Sequence, residues 1–305
     1  MNSDNKKVLL TVFLVAMVSC GWGFSFLAIA LLVKVMEPFQ LLAVRWALTG
    51  LVFLVLILIG KIKVKLDFSK KSTFFLICTG LFEPCAYDIL ETYGIKLSSP
   101  SVSAIFVATI PCMTLILGML FFKHKTDFRL TISLIITFVG VAIATLFSPG
   151  FSAGGTRLGM LLMILAVIVA SLYSLFSKSA SEDYDATSIT TVMALESAII
   201  FNIIALVKGY GLNTYTIPFE NTASLLSLLF LSFFCAFASY FCYNKLLSFS
   251  APALANNIVS SLSTILGVVT GILITNDAWG WYTIVGLLIT LAGVWMSSRR
   301  MSEDL

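Results

Sequence analysis

The sequence predicts an all-α polytopic membrane protein in which ten transmembrane helices form two inverted five-helix repeats. Three observations predict this fold class: an apolar composition, ten apolar runs of spanning length and a half-length internal repeat. Hydrophobic residues make up 59% of the 305-residue chain and charged residues 11%, whereas a soluble domain carries about 25% charged residues. The net charge of +4 is spread over short loops, so it does not indicate a nucleic-acid partner. The predicted surroundings are therefore a lipid bilayer.

Each predicted helix is an apolar run of about 20 residues, the length that crosses the hydrocarbon core of a bilayer. The first run is too long for the core of a cleaved signal peptide, so we interpret it as a retained helix. Short connections between the runs leave no room for a soluble domain. In order, the runs cover residues 8–32, 39–59, 74–93, 98–122, 130–147, 158–178, 188–207, 223–247, 253–275 and 279–297.

Lysine and arginine residues predict the orientation, because short cytoplasmic loops carry an excess of them. If the N-terminus lies inside and the runs alternate in direction, only Lys34, Lys96, Arg157 and Lys208 lie outside, and Arg45 lies within the second run. The other fourteen of the nineteen basic residues are then cytoplasmic. We therefore expect a multi-pass protein of the plasma (cytoplasmic) membrane with both termini in the cytoplasm.

An internal repeat divides the chain near its middle. Residues 97–104 (LSSPSVSA) resemble residues 247–254 (LSFSAPAL), and residues 138–142 (FVGVA) resemble residues 291–295 (LAGVW). The offset stays near 150, so we assign residues 1–149 to the first repeat and residues 150–305 to the second. Because each repeat has an odd number of helices, the second repeat has the opposite orientation in the membrane to the first. Inverted repeats with a site at their interface near the membrane midplane are a transporter design.

The third run contains the residues that packing explains least. It carries the carboxylates of Glu83, Asp88 and Glu91, each of which costs about 2.5–3.5 kcal/mol at the centre of a membrane helix. In a regular helix Glu83, Tyr87 and Glu91 share one face, with Asp88 beside them. Pro84 frees a backbone carbonyl, which is tolerated at membrane depth beside protein or a water-filled cavity. We therefore predict that this helix lines a polar cavity, with Asp88 and Glu91 nearer the outer end and partly hydrated.

Other residues inside the runs are candidates for the same cavity. Glu196 lies near the middle of the seventh run, and at least one of Asn256 and Asn257 in the ninth run is expected to face the cavity. Arg45 fits three interpretations: an ion pair with one of the carboxylates, snorkelling to the outer interface, or a contact with a substrate carboxylate. The aromatic candidates for the cavity wall are Trp22, Tyr87, Tyr93, Tyr173, Tyr240 and Tyr243.

Four short motifs are spread over the chain: residues 21–26 (GWGFSF), 37–46 (EPFQLLAVRW), 93–99 (YGIKLSS) and 243–248 (YNKLLS). Together with the ten runs and the repeat, they resemble the drug/metabolite transporter superfamily, in its ten-helix branch with two EamA-type repeats. The resemblance implies a substrate path between helices one to four and six to nine, with helices five and ten at the periphery. It also implies export of small metabolites such as amino acids.

These features favour a secondary transporter that works by alternating access and needs no cofactor. A passive facilitator on the same fold requires the same polar midplane site. The alternative from another class is an intramembrane enzyme acting on lipid substrates. No metal-ligand spacing and no nucleophile–base arrangement is visible in the sequence, and the six cysteines all lie in apolar runs, where we interpret them as packing residues. We therefore predict that the protein is not an enzyme and holds no metal.

An acidic cavity with aromatic walls suits an amine-bearing solute, through charge pairing and cation–π contacts. Arg45 adds a partner for a carboxylate, which makes a zwitterionic amino acid the expected substrate class. Glu83, at mid-depth, is the candidate for proton coupling. The predicted partners are thus a small-molecule substrate, the lipid bilayer and protons, while the sequence leaves open whether the protein forms a homodimer.

Overall fold

The chain folds as a bundle of membrane-spanning helices. The computed structural model describes residues 3–122, 128–148 and 154–303, of which residues 3–7, 122, 129–130, 154–155 and 297–303 are described by their backbone alone. Within these ranges the regular structure is helical and includes no strand. Eight helices there are long and apolar enough to cross a bilayer, and the two shorter apolar helices Thr131–Leu146 and Trp281–Met296 complete a set of ten. The predicted polytopic all-α fold is confirmed.

The ten helices, which we number α1 to α10, agree closely with the predicted runs. Most ends match within about four residues, but α1 begins earlier and α10 ends later than hydropathy predicts. Polar residues outside the bilayer continue these helices, and a hydropathy pattern does not register them. The predicted boundary between residues 149 and 150 lies outside the described residues. The helices are α1 Ser3–Leu32, α2 Pro38–Leu58, α3 Lys71–Leu97, α4 Pro100–Phe121, α5 Phe128–Leu146, α6 Gly154–Ala180, α7 Ala186–Val207, α8 Thr222–Phe249, α9 Pro252–Leu273 and α10 Trp281–Glu303.

Local sequence signals explain where several helices begin. Before α2, Glu37 and Gln40 form a reciprocal capping box and Pro38 occupies the first turn, where its missing N–H costs nothing. The Asp185 carboxylate accepts a hydrogen bond of 2.8 Å from the Ser188 amide at the start of α7. These caps determine the residues at which α2 and α7 begin, which the apolar pattern alone would not determine.

Short connections make successive helices cross the bundle in alternating directions. We call the end of the bundle from which α1 begins the N-face and the other end the opposite face. The connection between α2 and α3 (residues 59–70) lies at the N-face. The connection between α7 and α8 (residues 208–221), which includes the short helices Leu212–Tyr215 and Ile217–Glu220, lies at the opposite face. The two connections occupy corresponding places in the two halves of the chain.

Two central helices are interrupted at corresponding places. The segment Leu81–Ala86 of α3 and the segment Phe230–Ser239 of α8 are π-helical. Within the first, Glu83 has an extended backbone (φ −140°, ψ 120°), and Pro84 follows it. Proline removes a donor from the helical ladder, and π-helical turns are frequent at functional sites. The third helix of each half is therefore irregular at mid-depth.

The contacts between helices have an internal symmetry. A contact between two helices recurs between the two helices that occupy the same places in the other half of the chain. α1 packs on α8 and α9, just as α6 packs on α3 and α4. α2 packs on α7, and α5 packs on α10. This is the pattern of contacts that two structural repeats would produce. The α5–α10 pair makes most of its contacts internally, which leaves the other eight helices around the centre of the bundle.

The α5–α10 pair is held by a reciprocal contact of small residues. A side chain at Gly140 of α5 would overlap Thr290 of α10, and a side chain at Gly293 of α10 would overlap Thr137 of α5. Thr137 and Gly140 correspond to Thr290 and Gly293 in the repeat alignment, so each half supplies the same two residues. Small residues let the two backbones approach closely, which is how membrane helices associate without a hydrophobic driving force.

We expect Gly140→Val to lower the apparent melting temperature of the detergent-solubilised protein. The added side chain has no space against the Thr290 backbone, and overpacking costs about 1–3 kcal/mol. The matched control is Gly118→Val in α4, where a Cβ would meet nothing within 4 Å. Fluorescence-detected size-exclusion chromatography after heating measures both variants. Equal melting temperatures for the two variants would contradict close packing between α5 and α10.

Candidate functional site

A small cavity lies at the centre of the bundle. Its volume is about 30 Å³, which holds one or two water molecules. Ten of the thirteen candidate residues predicted from the sequence line it: Trp22, Arg45, Glu83, Tyr87, Asp88, Glu91, Tyr173, Tyr240, Tyr243 and Asn256. Four serine residues that were not predicted also line it: Ser25, Ser174, Ser260 and Ser263. The cavity walls come from both halves of the chain.

The buried cation Arg45 of α2 pairs with Asp88 of α3. Its Nη1 atom lies 3.2 Å from Oδ2 of Asp88, and both side chains are almost fully buried. The same Asp88 oxygen accepts a hydrogen bond of 2.7 Å from the indole nitrogen of Trp46. Of the three interpretations of Arg45, the geometry is that of an ion pair, whereas a snorkelling side chain would reach an interface. Nε of Arg45 has no hydrogen-bond partner among the described residues.

The other two carboxylates are held by tyrosine hydroxyls. Tyr240 of α8 donates to Oε1 of Glu83 over 3.0 Å, and Tyr87 donates to Oε1 of Glu91 over 2.9 Å. Glu83 and Glu91 are 4% and 5% exposed, and neither has a cation within ion-pair distance in the described part of the chain. Asp88 and Glu91 are enclosed by neighbouring helices, and the space that both of them line is the central cavity.

Four aromatic rings form one wall of the cavity. The indole of Trp22 in α1 lies 4.8 Å from the ring of Tyr243 and 5.5 Å from the ring of Tyr240, both in α8. Tyr173 of α6 lies 5.9 Å from Tyr243 and 6.2 Å from Tyr240 between ring centroids. The π-helical segment of α8 ends just before Tyr240. This break therefore helps to set the direction in which both α8 tyrosines point.

Two asparagines organise the polar groups behind this wall. Asn256 of α9 accepts a hydrogen bond from the Tyr243 hydroxyl and donates to Ser174 and Thr114 over 2.9 Å each. Asn244 of α8, which sequence analysis missed, accepts from the Tyr173 hydroxyl over 2.9 Å. An asparagine inside an apolar run was a signal that could have identified it. These bonds connect α4, α6, α8 and α9.

Three candidates from the sequence lie away from the cavity. Asn257 donates to the main-chain oxygen of Val294 in α10 over 2.6 Å; successive residues of a helix point about 100° apart, so only Asn256 faces inward. Tyr93 packs edge-on against Phe39 near the opposite face, with 5.7 Å between ring centroids. Glu196 lies in the contact between α7 and α3, beyond the π-helical segment, and does not line the cavity.

No group of three or more histidine, cysteine, aspartate or glutamate residues in the described ranges could hold a metal ion. The described partners of the cavity carboxylates are two tyrosine hydroxyls, the indole of Trp46 and the guanidinium of Arg45. This donor set suits recognition of a small polar solute.

A multi-pass helical bundle around a buried polar cavity is an arrangement found in membrane transporters. The chain belongs to the EamA-like transporter family, whose model matches residues 9–146 and again residues 157–299.

Relatives across bacteria and plants are also named as transporters. The "uncharacterized transporter YcxC" of Bacillus subtilis (strain 168) is 25% identical over 89% of this chain and 87% of its own length. The "UDP-xylose transporter 2" of Arabidopsis thaliana is 26% identical over 62% of this chain and 52% of its own length. A solved crystal structure superposes with a TM-score of 0.70 at 13% identity, over 95% of this chain and 98% of that one, which shows a shared fold.

We expect Arg45→Ala and Asp88→Asn each to lower thermal stability strongly. Each change leaves an uncompensated buried partner, which costs about 3–5 kcal/mol. The double variant is expected to lose less than the sum of the two single losses, because it leaves neither charge unpaired. Melting of the purified variants in detergent measures this coupling.

The matched control is the exposed pair Lys96–Glu37, with 2.7 Å between its charged atoms. Removal of Glu37 as Glu37→Gln is expected to cost at most about 1 kcal/mol. Purely additive losses at Arg45 and Asp88 would contradict the ion pair as the contact that stabilises α2 against α3.

Proposed function

We propose that the protein is a secondary transporter that carries a small amine-bearing metabolite, such as an amino acid or an amine, by alternating access. The observation that carries this proposal is the charge balance of the cavity. It contains three carboxylates and one guanidinium, and that guanidinium pairs with Asp88. Uncompensated carboxylates at membrane depth are costly, so Glu83 and Glu91 are expected to hold protons or the cationic group of a substrate.

The same charge balance selects between classes of substrate. A nucleoside diphosphate sugar, the class named for the plant relative, brings two phosphate groups that would face the surplus negative charge of this cavity. An amine instead gains charge pairing with Glu83 or Glu91 and cation–π contact with the aromatic wall. The unpartnered Nε of Arg45 is a donor for a carboxylate. A zwitterionic amino acid therefore offers an ammonium group to Glu83 or Glu91 and a carboxylate to Arg45.

Alternating access is supported by the size of the cavity. Its volume of about 30 Å³ is far below the roughly 300–1,000 Å³ of a typical ligand pocket. A substrate enters only if helices move apart at one face, so this conformation is a closed one. The two matches of the family model support a division of the chain into repeats 1–149 and 150–305 that move against each other.

The orientation is part of the proposal. The surplus of lysine and arginine at the N-face supports a cytoplasmic location of this face and of both termini in the plasma membrane. Export of the substrate is the proposed direction. A proton that competes with the substrate amine for the same carboxylate couples export to the proton gradient without a second site.

We expect Glu83→Gln to abolish accumulation driven by a proton gradient in proteoliposomes while counterflow exchange continues. Glutamine keeps the size of the side chain and removes the exchangeable charge. A bond to a charged group contributes about 1.5–3 kcal/mol, so amine affinity should fall roughly 10-fold or more. Uptake from a panel of amino acids and amines, with and without a pH gradient, measures both effects on one preparation.

Glu37→Gln, which alters an exposed carboxylate at the opposite face, is the control and should transport as the wild type does. Gradient-driven uptake at the wild-type level in Glu83→Gln would overturn the assignment and make Glu91 the coupling candidate. A wild-type protein that transports amines without any response to a proton gradient is a facilitator.

The N-face is closed by contacts between the two halves of the chain. Lys70 and Ser72 at the start of α3 bond to the Asp183 carboxylate in the connection between α6 and α7. The hydroxyl of the neighbouring Tyr184 accepts from the Asp67 amide over 3.2 Å and bonds to Thr73. We call this set of residues the N-face closure.

The N-face closure keeps its charge over the physiological pH range. Hydrogen bonds from Lys70 and Ser72 hold the pKa of Asp183 below its ordinary value of 3.8, and the same contact raises the pKa of Lys70 above 10.5. The Asp183 contribution is present above pH 3.8 and is lost only as pH falls through the lowered pKa. The Lys70 contribution is lost only as pH rises through the raised pKa. A pH response of transport near neutrality therefore comes from other groups.

We expect Asp183→Asn to open the N-face more often. The readout is labelling of Ser177→Cys, a fully buried position behind the closure, by an impermeant maleimide in a background with the six native cysteines replaced. Labelling from the cytoplasmic side should accelerate several-fold, and labelling from outside should not change. Glu37→Gln at the opposite face is the control. Equal rates with and without Asp183→Asn would contradict a closure held by this ion pair.

A further inference from the structure

Glu196 is a carboxylate at the centre of the membrane that does not belong to the cavity. It lies midway along α7, which runs from Ala186 to Val207, and thus about 15 Å from either end. The surface beside it faces lipid, since Ile199 of α7 is 60% exposed and Leu81 of α3 is 46% exposed. Glu196 is itself partly exposed. Its carboxyl group therefore lies in a seam between α3 and α7 that opens toward the bilayer.

The carboxyl group contacts α3 at the residue where that helix changes form. A side chain at Gly80 would overlap Oε2 of Glu196. Gly80 is the last residue before the π-helical segment Leu81–Ala86, which contains Glu83. Glu83 therefore lies within this interruption and lines the cavity, whereas Glu196 contacts the residue just before the interruption from the lipid side.

Nothing in the described ranges neutralises an ionised Glu196. Its Oε2 atom is buried without a hydrogen-bond partner there. The titratable groups that α3 presents to it are the thiols of Cys78 and Cys85. The one buried cation of α2, Arg45, pairs with Asp88, and the one cation of the α8 segment packed on α7, Lys245, is exposed near the N-face end of α8. An ionised carboxylate at this depth costs about 2.5–3.5 kcal/mol.

We propose that Glu196 is a protonation site outside the cavity, reached from the lipid-facing seam, that positions the interruption of α3 through its contact with Gly80. With its proton bound, the neutral carboxyl group fills the space beside Gly80. When the proton leaves, the carboxylate moves toward water or a donor and no longer supports α3 at this point. Glu196 acts on substrate only through Glu83, so it is a positioning residue.

The first test is reaction with dicyclohexylcarbodiimide, a lipid-soluble reagent for protonated carboxyl groups. The carboxyl O–H adds across one C=N bond to form an O-acylisourea, which rearranges to a stable N-acylurea that retains every atom of both reactants. Peptide mass spectrometry of protein in lipid vesicles should place an adduct on Glu196. Once the carboxyl group is mostly ionised, labelling should fall about tenfold for each further pH unit.

The controls separate a lipid-facing site from a hydrated one. Glu196→Gln should lose the adduct, and a water-soluble carbodiimide should modify exposed Glu37 but spare Glu196. Failure of the lipid-soluble reagent to modify Glu196 at any pH would overturn the proposal, as would equal modification by the water-soluble reagent. This test does not depend on transport, so it stands even if the proposed function fails.

The second test addresses the positioning role, which rests on the proposed function. Glu196→Gln should leave the KM for the amine unchanged and shift the pH profile of uptake. Gly80→Ala, which displaces the carboxyl group, should shift the profile as well, whereas Gly118→Ala should not. A raised KM with an unchanged pH profile in Glu196→Gln would make Glu196 a substrate-binding residue and overturn the positioning role.

Discussion

The ion pair between Arg45 and Asp88 is the contact on which the rest of the cavity depends. It joins α2 to α3 in the middle of the bundle, where water does not shield either charge. Because the guanidinium of Arg45 pairs with Asp88, Glu83 and Glu91 accept hydrogen bonds from tyrosine hydroxyls instead. The pair therefore stabilises the packing of the first half and, by the same contact, sets the charge that a solute meets.

The helices and the acidic part of the site were predictable because both follow from the cost of burying polar groups in lipid. An apolar run of sufficient length has few alternatives to a spanning helix, and Glu83, Asp88 and Glu91 are too costly there to be incidental. Arg45 was identified for the same reason, although its partner was one of three interpretations. The ten helices appear close to where hydropathy placed them.

The directions of single side chains were not predictable, since they depend on backbone irregularities that leave little trace in the sequence. Pro84 indicated a break in α3, but nothing comparable marks the π-helical segment Phe230–Ser239 of α8. The sequence led us to expect at least one of Asn256 and Asn257 in the cavity, but it did not indicate which one, because the rotation of α9 decides that Asn256 faces inward. The sequence predicted the depth of Glu196 in the membrane correctly. It did not predict which way the side chain points, because the packing of α7 against α3 sets the rotation of α7.

The two ends of the bundle are formed by corresponding segments of the two halves. The side-chain contacts between the halves nevertheless differ from one end to the other. The N-face closure contains an ion pair and several hydrogen bonds between the halves. At the opposite face, Gln40 donates to Thr214 over 3.3 Å, and Lys208 lies 4.8 Å from the ring of Phe39. In the proposed transport cycle, a ligand shifts the balance between the two open states only by as much as it binds one of them more tightly. Differential binding of the substrate would then have to compensate for any difference in free energy between the two closures.

The reciprocal contact of Thr137 and Gly140 with Gly293 and Thr290 has a consequence for the origin of the chain. A surface in which each partner offers the same residues to the other is the kind that joins identical subunits around a two-fold axis. A gene encoding only five helices would have produced a polypeptide able to pair with an inverted copy of itself through this surface. Duplication and fusion of such a gene would have preserved the contact and freed each half to diverge. In the present chain all three carboxylates that line the cavity lie in the first half, and Asn256 lies in the second.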